Sequence, residues 1–62
     1  MTHTKGEQPM YYVYLEHIRT GRCELAKVCE NEADAIRHIA KCYRIDTELG
    51  QLGEYYYCYK KR

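Results

Sequence analysis

The run Tyr11-Tyr12-Val13-Tyr14-Leu15-Glu16-His17-Ile18, followed by Arg19-Thr20-Gly21-Arg22 and then Cys23-Glu24-Leu25-Ala26-Lys27-Val28-Cys29, decides the fold. The first arm is rich in aromatic and β-branched residues, which suit a pleated, half-buried surface, and reads as a strand. Thr20-Gly21 reads as a tight turn, with glycine supplying the positive φ that such turns need. A second strand, Cys23 to Cys29, follows. A two-residue loop at Thr20-Gly21 pairs Leu15 with Ala26, Val13 with Val28 and Tyr11 with Glu30, which makes one apolar inner face. The outer face then pairs Tyr14 with Lys27, Tyr12 with Cys29, Glu16 with Leu25 and Ile18 with Cys23. A slip by one residue would mix Val13 and Leu15 with Lys27 and Cys29, so the side-chain pattern favours the first register.

Downstream, Asn31 is a good helix N-cap, and Glu32 and Asp34 suit the positive end of a helix dipole. Ile36, Ile39, Ala40 and Tyr43 recur at the spacing of an amphipathic helix, with Arg37, Lys41 and Arg44 away from that stripe. The spacing predicts a helix from about residue 32 to about residue 45. Ile45, Leu49 and Leu52 fall off the stripe, so residues 46–53 read as a bent connection or short helical extension, capped by Asp46 or Thr47. Glu54-Tyr55-Tyr56-Tyr57-Cys58-Tyr59-Lys60 reads as a third strand, before a basic end of Lys60, Lys61 and Arg62. The order ββαβ predicts an α+β domain. Its three-stranded antiparallel sheet takes the order 2-1-3, with the most apolar strand at the centre and the helix on one face; a parallel crossover pairing of strands two and three is the alternative.

A chain of 62 residues holds one domain. Residues 1–9 read as a mobile polar leader and residues 10–62 as the domain. No apolar signal region or bilayer-length run occurs, so the reading is cytoplasmic, with no membrane association and with Cys23, Cys29, Cys42 and Cys58 reduced. The net charge of +1 argues against a strong nonspecific polyanion binder.

The residues supply little chemistry. Zinc sites favour close cysteine pairs, whereas Cys23 and Cys29 lie far apart on one strand and His38 with Cys42 makes only an i, i+4 pair. No cysteine has an oriented base and an oxyanion site, and there is no phosphate loop or carboxylate pair. The reading is therefore no enzyme, no cofactor, no metal and no small-molecule substrate.

The aromatic content carries the signal: all eight aromatic residues are Tyr. A tyrosine buries a ring and keeps a hydroxyl that wants water or a partner. With the helix over Val13 and Leu15, the opposite face shows Tyr12, Tyr14, Ile18, Leu25 and Cys29. Strand three adds either Tyr55, Tyr57 and Tyr59 or Tyr56 and Cys58; the candidate contact set takes the first three. Such a patch marks a partner surface, unless Ile45, Leu49 and Leu52 fold across it. The favoured reading is a protein-interaction or regulatory accessory module, binding a protein partner or itself as a homodimer. The alternative is a nucleic-acid module that stacks bases on the tyrosines, with Lys27, Lys60, Lys61 and Arg62 near phosphates.

Overall fold

The computed structural model describes residues 10–62, and the leader at residues 1–9 lies outside the described residues. Strands β1 (Tyr11–His17) and β2 (Arg22–Cys29), helix α1 (Glu32–Glu48) and strand β3 (Tyr55–Lys61) follow in that order. They form an antiparallel sheet of order β2-β1-β3 with one helix, an α+β ββαβ fold.

The hairpin register differs from the sequence expectation, in two steps. The loop spans four residues, Ile18 to Gly21, because the His17 carbonyl accepts from both Thr20 N–H and Gly21 N–H. Gly21 takes a φ of 77°, which only glycine adopts without strain. This shift of two residues pairs Leu15 with Glu24 and Tyr14 with Leu25, and leaves every side chain on its expected face. A bulge then sets Ala26 and Lys27 together against Val13, and beyond it the faces exchange. Cys29 turns inward and is buried, while Val28 turns outward and is 41% exposed. Small residues are what this inner position takes: Cys29 packs with Ala35 and Val13 where the chain enters the helix.

The helix begins as expected, with Asn31 Oδ1 accepting from the Asp34 N–H at 2.8 Å. It runs on to Glu48 as a single element, so Asp46 and Thr47 cap no second turn. Thr47 Oγ1 instead donates to the Tyr43 carbonyl one turn back. Its inner face also differs from the expected stripe. Ala35 and Asp46 are buried, Ile39, Cys42 and Tyr43 are half-buried, and Ile36 and Ala40 are exposed. The reason lies in tyrosine chemistry: Tyr57 buries its ring under the helix, and its hydroxyl requires the Asp46 carboxylate there.

The core is thin. Val13, Cys29, Ala35 and Tyr57 are the buried apolar residues, with Tyr11, Ile39 and Tyr59 packed around Val13, Cys29 and Ala35. Apart from Cys29, β2 is exposed along its length. The helix packs against all three strands, reaching β2 through Cys29, and among the described residues no layer lies above the opposite face of the sheet.

Candidate functional site

Alternation along β1 sends Val13 to the helix and Tyr12, Tyr14 and Glu16 to the open face. Three rows of neighbours follow from the pairing. Val28, Tyr12 and Lys60 form the first, Leu25, Tyr14 and Cys58 the second, and Cys23, Glu16 and Tyr56 the third. Arg62 extends the first end, its guanidinium carbon 5.3 Å from the Tyr12 ring centroid. Lys60 Nζ lies 5.8 Å from the Tyr14 ring centroid. Both are favourable cation–π placements, and they keep the lysine and arginine stems on the rings. Leu25 and Tyr56 are each about half exposed, as is Ile18 beyond the third row. The open face thus carries apolar residues at its centre beneath Lys60, the Arg62 guanidinium at one end and Glu16 at the other.

Three expectations about this surface are corrected. Tyr55, Tyr57 and Tyr59 pair with His17, Leu15 and Val13, on the helix side. Tyr57 donates its hydroxyl to Asp46 Oδ2 at 2.8 Å, and Tyr59 donates to Glu32 Oε2. Tyr55 rests edge-on against His17, ring centroids 5.2 Å apart. The outward residues of β3 are Tyr56, Cys58 and Lys60. Lys27 also leaves the tyrosine face, carried inward by the bulge, and lines an open groove of about 790 Å³ with Arg37, His38, Lys41 and Arg44. Lys61 pairs with Tyr11 and shares its helix-side face. Of the nine residues proposed from sequence, Tyr12, Tyr14, Lys60 and Arg62 come together. Val28, Leu25, Tyr56 and Cys58 complete the surface, and the outward position of Val28 depends on a bulge that no glycine marks.

The covered tyrosines are polar struts. Burial and the hydrogen bond to Asp46 hold the Tyr57 proton well above the ordinary phenol range. The hydrogen bond to Glu32, followed by burial, raises Tyr59. Tyr43 accepts a hydrogen bond from the Tyr57 backbone N–H at 3.0 Å, so the helix occupies a donor on the free edge of β3. Among the described residues, the hydroxyls of Tyr12, Tyr14 and Tyr56 make no hydrogen bond to the chain.

His38 and Cys42 do meet, with Sγ 3.5 Å from Nε2. Desolvation lowers the His38 pKa, helped by the nearby Lys27 and Lys41 charges. Desolvation and the Asp46 charge raise that of the Cys42 thiol, so neither group is poised as a thiolate–imidazolium pair. Among the described residues, no three His, Cys, Asp or Glu side chains gather as metal ligands. All four cysteines are free thiols, and no described helix is long and apolar enough to cross a membrane. Compared with protein families, with curated proteins and with solved structures, the chain matches none.

Proposed function

We propose that this chain is a non-enzymatic interaction module that docks protein through the open face of its sheet. The observation that carries this reading is the layer of Tyr12, Tyr14, Leu25, Val28 and Tyr56, over which no other described element lies. A half-solvated antiparallel sheet ordinarily shows a polar outer face, and an apolar one marks a contact surface. Ile45, Leu49 and Leu52, the segment that could have covered it, are themselves exposed. The sheet edges are poor alternatives. A bulge interrupts β2, and Tyr43 takes an edge donor of β3, both devices that discourage strand addition. The nucleic-acid reading loses support because its cations divide between two faces: Lys60 and Arg62 lie on the tyrosine side, Lys27 and Lys61 on the helix side. A backbone track needs them in one line.

Sedimentation of the whole chain over a range of concentrations tests the proposal, with self-association as the first form of docking to look for. Tyr12→Ser with Tyr14→Ser should keep the circular dichroism spectrum and abolish association. Leu49→Ser with Leu52→Ser should leave association unchanged. A concentration-independent monomer, or association lost through Leu49 and Leu52 alone, overturns the reading. Salt-sensitive binding of a single-stranded oligonucleotide by an otherwise monomeric chain would replace it with the nucleic-acid reading.

A further inference from the structure

Resting on the docking role of the open face, we infer that its partner is a second copy of this chain, related by a twofold axis that lies between the two sheets, crosses the strands and passes over the Tyr14 row. The argument is one of symmetry and charge. Two identical faces can stack about a twofold in the interface plane that runs either across the strands or along them. The axis across the strands reverses their direction. It lays the Glu16 row of one copy over the Tyr12 row of the other, beside Lys60 and Arg62 of that copy. The axis along the strands sets Glu16 against Glu16 and gathers the two cationic ends. Among the described residues Glu16, Lys60 and Arg62 make no ion pair, and Lys60 and Arg62 rest instead over the Tyr14 and Tyr12 rings. Along the strand Glu16 lies four residues from Tyr12, roughly 13 Å, too far for Lys60 of the same copy to neutralise it. Opposite charges brought together across an interface fix its register, and like charges in that place suppress it.

The face is small for a dimer interface. Three strands about 4.8 Å apart, each about seven residues long at about 3.3 Å per residue, present roughly 330 Å² counted flat. Two such faces bury roughly 700 Å² before side-chain relief is counted, below the roughly 1,000 Å² that a specific interface ordinarily clears, so the association is a weak one. The arrangement places Tyr14, Leu25 and Cys58 of both copies at the middle, where exclusion of water counts most. Glu16 and the Arg62 guanidinium lie toward the two ends of the face, whereas the Lys60 ammonium rests over the Tyr14 ring, nearer the middle.

Charge exchange tests the orientation. Each variant is checked for an unchanged circular dichroism spectrum, and its dimer dissociation constant is measured by sedimentation at low salt. Glu16→Lys should weaken association at least about tenfold, as should Lys60→Glu with Arg62→Glu. The triple exchange should recover most of that loss, although no intrachain pair is rebuilt by it. Glu16→Gln should weaken the dimer modestly. A wild-type monomer would remove the docking reading itself. A wild-type dimer that tightens with Glu16→Gln, or that the triple exchange fails to rescue, would leave docking intact and overturn this axis.

Discussion

The two faces of one three-stranded sheet use the same residue type in opposite ways. On the helix side, Tyr57 and Tyr59 bury their rings and anchor their hydroxyls on Asp46 and Glu32. On the open side, Tyr12 and Tyr14 lie beneath Arg62 and Lys60, with no hydroxyl bond to the chain among the described residues. A tyrosine whose hydroxyl is satisfied internally belongs to the fold. One whose hydroxyl is left over is available to a partner. Substitutions of neighbouring residues should therefore separate stability from association.

The largest effect is expected at Val13, which is fully buried. Val13→Asp places an unpaired charge in the core and should unfold the chain, since a protein of 62 residues has only roughly 3–9 kcal/mol in hand. A cooperative thermal transition retained by that variant would show that the helix does not seal this face. Ile39→Ala should cost about 2 kcal/mol in urea unfolding, at the low end for such truncations because Ile39 is only half-buried. An unchanged midpoint would place the core elsewhere.

Tyr57→Phe keeps the ring and removes the donor, stranding the buried Asp46 carboxylate, at about 1–2 kcal/mol. The same bond has a pH signature. The folded pKa of Tyr57 lies above its unfolded value of about 10, so its contribution is complete below that pH and is lost as pH rises beyond it. Alkaline unfolding should be steeper for the wild type than for Tyr57→Phe; equal slopes would contradict the assignment. Smallest of all, Tyr14→Ser should change stability by less than about 1 kcal/mol, although Tyr14 is the immediate neighbour of Val13. A loss as large as that of Ile39→Ala would make the open face part of the core.

Element order, sheet order and the helix N-cap were legible because each rests on local chemistry: Gly21 in the turn, Asn31 at the cap, an apolar β1 suited to the centre. The faces were harder to read. Tyr55, Tyr56, Tyr57 and Tyr59 offer no polar–apolar contrast, and Lys60 and Lys61 end both alternating sets, so nothing local reveals which side of β3 is wet. The helix stripe misled for a related reason. Hydrophobicity favours Ile36 and Ala40, whereas Asp46 is inside because a tyrosine hydroxyl requires an acceptor there. One signal was present: Ala35, Ile39, Tyr43 and Asp46 also recur at helical spacing, and an acidic residue ending such a series can serve a buried phenol. The bulge at Ala26 and Lys27 carries no glycine, and it alone moves Val28 outward and Lys27 away from the tyrosines.

The most direct test of the contrast between the faces is a residue-resolved dilution series, following backbone and tyrosine ring resonances from millimolar to micromolar protein. Signals of Tyr12, Tyr14, Leu25, Val28, Tyr56 and Cys58 should shift together along one binding curve, while those of Tyr43, Tyr57 and Tyr59 stay fixed. Shifts centred on the covered tyrosines or on Leu49 and Leu52, or no shift anywhere, would contradict the account.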